Sequence, residues 1–372
     1  MKKSLYILAA AAIVAGCSSN DLRNEVVKEE APIGFSKVYI EKGTKAAFNQ
    51  LSDFEKANNT FGVFGYKTVS STTTKVFGER EGEGQGVKVT FGTDWTYTPL
   101  RYWDRVASSY SFYAYAPHSD SFTGTVALAS NSSNAFSITG FEQKDVQADM
   151  IDLMVDLTSQ KSVTGNNIGK NDVEFTFNHI LSSINFKMAV SADLKNDESK
   201  NPVTVVSVSV GAIKLDGTYD DPDNDDELPY AWTIKDESRT KTFEATKTSG
   251  NVFASGVLKA NSAAITGGGT LATDKVGLTD VPGLTDLLFI PQDVADDYEI
   301  SITYKIENEE FSKTLALSDF TKTVDEEEVS LEAWQSGYKY TYVLIIGPTP
   351  ILFDVKDNFG WGDGGTYTYT IQ

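Results

Sequence analysis

Apolar residues fall at every second position through much of this chain, the spacing of a strand with one face buried. Val173, Phe175, Phe177, His179 and Leu181 share one face, and Glu174, Thr176 and Asn178 take the other. At Ser182 and Ser183 the phase slips, because Ile184, Phe186 and Met188 occupy even positions; the slip predicts a bulge or a short crossing. Further strands are expected over Ile33 to Ile40, Thr60 to Lys67 and Val87 to Phe91, with a pair over Trp95 to Trp103 and Tyr110 to Pro117. Lys42 to Ala46 and the Gly-rich Glu79 to Gly86 read as loops. The second half repeats the style over Val203 to Leu215, Tyr230 to Ile234, Lys241 to Thr246, Gly256 to Ala260, Leu287 to Pro291, Tyr298 to Ile306, Phe311 to Leu317 and Tyr338 to Ile346. Helix is expected only as a turn near Ser330 to Gln335.

Many short strands spaced by Gly, Asp and Asn turns predict an all-β chain of sandwich type. Tyr (17), Phe (21) and abundant Val and Thr agree with that. The polar stretch Ser191 to Pro202 marks a domain boundary. The expected order is a signal peptide over 1–16, a flexible leash over 17–30, an N-terminal sandwich domain over 31–190 and a C-terminal one over 191–372.

The N-terminus carries its own pattern. Lys2 and Lys3 precede an apolar run from Leu5 to Val14, and Ala15 and Gly16 stand before Cys17, the sole cysteine. That is the layout of a cleaved secretory signal, too short for a permanent membrane helix. Ala15-Gly16-Cys17 resembles the bacterial lipobox, which implies cleavage before Cys17 and lipid on that residue. One cysteine leaves no disulfide within the fold. The net charge of −20 opposes binding to nucleic acid or to an anionic bilayer surface.

Candidate chemistry is sparse. A nucleophilic triad would need His118 or His179, yet one follows Pro117 in a polar loop and the other lies on an apolar strand face. The acidic run from Asp216 to Glu227, with Asp220, Asp223 and Asp225 as the calcium-type ligands, lacks EF-hand spacing and reads as a solvated loop. No metal, cofactor or catalytic residue is expected, and an enzyme is not the reading.

Five segments in order resemble the landmarks of the fimbrillin family, lipoprotein subunits of type V pili in Gram-negative anaerobes: Phe61 to Tyr66, Tyr110 to Pro117, Phe175 to Phe186, Leu288 to Gln292, and Trp334 to Tyr342. The resemblance covers nearly the whole chain beyond Cys17. It implies two transthyretin-like sandwich domains and a structural role in adhesion. It also implies outer-membrane residence through the lipid, a processing protease, and head-to-tail assembly with other pilus subunits by strand exchange.

In this chain the strand to be lost would be Ile33 to Ile40, and the cut would fall at Lys45-Ala46. Here the chain departs from the family, which favours arginine. The only upstream arginine, Arg23, lies in the leash, where a cut would free the lipid and leave the strand. The subunit is therefore either a stalk cut at Lys45 or an uncut anchor. The C-terminal Tyr367, Tyr369 and Ile371 alternate as a donor strand requires; closing the chain's own sheet would need the same pattern. The rival function is a surface lipoprotein that holds glycans on Trp95, Trp103, Trp232, Trp334 and Trp361.

Overall fold

In the strand Thr60–Val69 the residues from Thr60 to Tyr66 are all buried, so this strand cannot be half-solvated. Its alternation separates two interiors: Phe61 and Val63 join one apolar cluster, while Phe64 and Tyr66 join another. The neighbouring strand Ser109–Ala116 divides the same way, with Tyr110, Phe112 and Ala114 on one side and Tyr113 and Tyr115 on the other. A sheet covered on both faces reads as a continuous apolar run, and these two strands lie in the middle of it.

The structure is a computed structural model describing residues 31–35, 37–40, 54–157, 163–190, 202–220, 231–254, 258, 278–294, 298–324, 327–347 and 362–370. The fold is all-β in kind, and among the described residues no helix reaches seven residues. A nine-stranded sheet runs from Lys37–Ile40 at one edge through Glu174–His179, Met154–Asp156, Ser109–Ala116, Thr60–Val69 and Val87–Phe91 to Trp95–Thr96. A four-stranded sheet, ordered Ala231–Ile234, Asp216–Asp220, Phe136–Glu142 and Thr123–Leu128, meets it through Phe136. That ring lies 5.9 Å from Tyr115 and 6.5 Å from Phe64.

A seven-stranded sheet contains Ser182–Val190, Tyr338–Ile346, Gly362–Thr370 and Thr321–Val324 as consecutive neighbours. Another four-stranded sheet holds Thr240–Glu244, Val203–Lys214, Glu299–Ile306 and Glu309–Ala316.

The phase slip at Ser182 has a clear origin. The strand Glu174–His179 alternates buried and half-buried residues. Ile180 and Leu181 then carry the chain from the nine-stranded into the seven-stranded sheet. There Ser183 to Val190 pair in parallel with Lys339 to Ile346. The crossing is fastened by Trp232 Nε1–H and Ser336 Oγ–H, which donate to Ile180 O at 2.7 and 3.0 Å, and by Gly337 N–H, which donates to Leu181 O at 2.9 Å.

Three expectations differ in detail. The stretch Ser330 to Gln335 holds no helical turn but the short strand Ala333–Trp334, paired with Gln292–Asp293. Trp95 to Trp103 is not one strand: only Trp95–Thr96 pairs, and its partner is Thr90–Phe91 rather than Tyr110 to Pro117. Beyond it the backbone is taken by Arg101 and Trp103, whose N–H and C=O groups serve the start of the chain. The strand expected over Ile33 to Ile40 is regular only from Lys37; its first half is extended but bonds to a different neighbour. Most of the segment Gly256 to Ala260 and the boundary stretch 191–201 lie outside the described residues.

Candidate functional site: the cradle of the first strand

The segment from Ala31 to Ile40 sits between two walls. One is the segment Arg101 to Trp103: Ile33 N–H donates to Arg101 O at 2.8 Å and Trp103 N–H to Ala31 O at 3.0 Å, with Pro32 bridged to Tyr102. The other is the strand Glu174–His179: Val173 N–H donates to Gly34 O at 2.8 Å, and Lys37 to Ile40 run parallel to Glu174 to Phe177. Tyr97 closes the junction by donating its hydroxyl to Ile33 O at 2.7 Å.

Side chains complete the hold. Ile33, Phe35 and Val38 are 1%, 2% and 1% exposed. Phe35 lies within 6.3 Å of five ring centroids, those of Phe61, Phe77, Tyr97, Phe112 and Phe175. At about 2 kcal/mol for each buried side chain, these three contribute roughly 6 kcal/mol of apolar transfer. Ile33 and Phe35 are two positions apart, but Phe35 and Val38 are three apart. The phase therefore shifts between the two walls.

Among the described residues the first strand is an edge strand, with Glu174–His179 as its one neighbour in the sheet order. On its far side, among the described residues, Asn178 and His179 pair with Val155 and Met154, and Thr176 N–H donates to the buried carboxylate Asp156 Oδ2 at 2.7 Å. Without the segment 31–40, the backbone of residues 174–177 would face an open slot lined by the rings around Phe35. A slot of unpaired backbone beside apolar pockets is a site for an added strand.

The C-terminal strand Gly362–Thr370 lies between Tyr338–Ile346, to which it is parallel, and Thr321–Val324, to which it is antiparallel. Tyr367 stands opposite Tyr342 and Tyr369 opposite Leu344; Ile371 lies outside the described residues. So do Cys17, Arg23, Lys45, Ala46, Asp223 and Asp225. Asp220 ends the strand Asp216–Asp220 and is exposed. Among the described residues no group of three or more His, Cys, Asp or Glu side chains could hold a metal ion.

The two histidines have local partners. His118 caps a short turn, with Nδ1 3.0 Å from Asp120 Oδ1, and its ring stacks on Tyr115. Ser121 donates to that same Asp120, an order that leaves no serine on the imidazole. His179 Nδ1 lies 2.8 Å from Asp152 Oδ1, and both side chains are all but fully buried, out of reach of a substrate. None of the described tryptophans forms an exposed platform. Trp95, Trp103 and Trp334 are core residues, Trp232 is a half-buried fastener of the crossing, and Trp361 lies outside the described residues.

The comparisons agree on one family. The fimbrillin-like family profile matches residues 44–358. The fimbrium subunit Fim1C of Phocaeicola vulgatus is 29% identical over 397 residues, spanning 100% of this chain and 99% of the relative. The crystal structure of a fimbrial protein from Bacteroides vulgatus aligns with a TM-score of 0.53 at 23% identity, covering 86% of this chain and 95% of that one. Sequence reasoning found the first strand from its apolar pattern but missed the wall at Arg101 to Trp103. Pro99 and the aromatic residues around it were the available signal.

Proposed function

We propose, on the premise that this chain belongs to the fimbrillin-like family of fimbrial subunits, that it is a stalk or anchor subunit of a cell-surface fimbria and assembles by exchange of its first strand. The carrying observation is the hold on Ala31 to Ile40: an edge segment whose loss would bare a paired backbone edge and an aromatic pocket together. In this reading Cys17 bears the lipid that keeps the precursor on the outer membrane, and Lys45-Ala46 is where a protease releases the strand. We read two sandwich modules of transthyretin-like type that share the chain unevenly around the polar stretch at 191, since Asp216–Asp220 returns to pair with Phe136–Glu142. Among the described residues the strand Ser182–Val190 pairs with 279–280, 287–289 and 339–346.

The donor is the C-terminal segment of a neighbour, with Tyr367, Tyr369 and Ile371 as its inward residues. A strictly alternating donor matches the pockets of Ile33 and Phe35 and meets that of Val38 one residue out of phase. Release of Gly362–Thr370 from its own sheet must precede donation. A head-to-tail contact of this kind repeats into a filament rather than closing into a ring. An uncut subunit would keep its strand and lipid and end the filament at the membrane.

The test is mass spectrometry of the mature N-terminus from cells, beside trypsin treatment of the purified precursor followed by gel and electron microscopy. A chain beginning at Ala46 that polymerises supports a stalk; an acylated Cys17 in assembled fimbriae supports an anchor. Processing that is unchanged in Lys45→Ala removes that site, and a trimmed chain that stays monomeric sinks the exchange reading.

A further inference from the structure

Large exposed apolar side chains are few among the described residues, and three of them fall within one short stretch. Leu100, Tyr102 and Val106 are 50%, 48% and 76% exposed, while the intervening Arg101 and Trp103 are 7% and 2% exposed. The inward residues fix the stretch in place. Arg101 Nε–H donates to Val76 O at 3.2 Å, and Nη2 pairs with Glu83 Oε1 at 2.5 Å. Trp103 packs edge-on against Tyr110, ring centroids 4.8 Å apart. Asp104 takes Lys67 Nζ at 2.7 Å and Val106 N–H at 3.0 Å.

A mobile loop can fold its apolar residues inward, but a segment pinned this way must hold them in water. A built apolar surface that no described residue covers is the mark of an interaction site. Its position says with what. Arg101 O and Trp103 N–H are the groups that bond Ile33 and Ala31, so the stretch is the outer lip of the slot described above.

The geometry points to Leu100, Tyr102 and Val106 as a docking shelf for a second copy of this chain. The copy that supplies the exchanged strand rests its folded body on this lip. The inference builds on the strand-exchange reading, and it adds a contact that does not depend on the exchanged strand itself. Arg105 is exposed at the shelf, and a chain with a net charge of −20 suits that cation better in a neighbour than an anionic lipid surface suits the acidic body around it.

The experiment uses the full precursor, trimmed with trypsin, as wild type and as Leu100→Ser/Val106→Ser; both positions are exposed, so folding is not at stake. A labelled peptide of residues 31–40 reports whether the slot is intact, and sedimentation velocity reports polymer growth. The expected result is equal peptide binding with polymer growth slowed about tenfold, the equivalent of one modest interface contact. Equal growth in both proteins overturns the shelf. If trimmed wild type fails to bind the peptide, the exchange reading fails, and a photo-cross-linking residue placed at Val106 decides the shelf alone. Cross-links to a second copy keep it, and cross-links only to lipid or to residues 18–30 of the same chain end it.

Discussion

Phe35 stacks on Phe175 with ring centroids 5.7 Å apart and planes at 30°, although one ring comes from the start of the chain and the other from the strand before the crossing. The pair joins the first strand directly to the wall it runs beside. Replacing Phe35 with Ala leaves a ring-sized cavity among five aromatic rings and should cost about 4 kcal/mol. The expected outcome is a lowered unfolding midpoint together with faster cleavage by trypsin between residues 41 and 53, read on a timed gel.

Gln143 binds distant parts of the chain through one amide. Its Nε2 donates to Ile151 O and to Leu288 O, each at 2.9 Å, and its Oε1 accepts from Lys144 N–H and Ile151 N–H. Every bonding position of this buried side chain is used. Gln143→Ala would orphan two donors and two acceptors, and a loss of roughly 3–5 kcal/mol is expected in urea unfolding. A loss under about 1 kcal/mol would mean that water replaces the amide without strain.

Alkaline pH should unfold the protein. Burial pushes the hydroxyls of Tyr113 and Tyr115 up to about 12, above the ordinary value near 10. Because the folded value is raised, the stabilisation is complete below pH 10 and is lost as pH climbs towards 12. Circular dichroism and tyrosinate absorbance should change together in that window. The double variant Tyr113→Phe/Tyr115→Phe should hold its fold to higher pH relative to its own stability at neutrality.

The hairpin joining Thr60–Val69 to Thr72–Phe77 turns through Ser70 and Ser71, with φ of 47° and 68°. Both lie in the left-handed region, where serine is less at ease than Asn or Gly. Ser70→Asn/Ser71→Gly should stabilise the fold by about 1 kcal/mol. No gain in thermal midpoint would show that side-chain contacts at the tip outweigh the backbone term.

Much of the architecture was legible because period-two patterning survives wherever one face is wet. Glu174–His179 and Tyr338–Ile346 fall where the alternation and the aromatic runs put them. Other elements were not legible. Phe136–Glu142 was not foreseen, since Gly140 and the serines around it dilute its pattern, and its partner Asp216–Asp220 is far away in sequence. The lip at Arg101 to Trp103 looked like a strand because its side chains alternate, yet its hydrogen bonds go to Ala31 and Ile33. Alternation reports which way side chains point, and it is silent on which backbone they bond. For the same reason the pattern at Tyr367 and Tyr369 could not separate donation from closure of the chain's own sheet.

The pairing of Ser183 with Lys339 and of Val190 with Ile346 imposes an order of events on biosynthesis. The opening strand of the second half waits for a partner near the end of the chain, so its parallel edge cannot lock until the chain is almost complete. Closing so long a loop is slow, and in the interval Ser182–Val190 is an open invitation to other chains. Escort factors and swift passage across the envelope would matter most for this subunit during that delay.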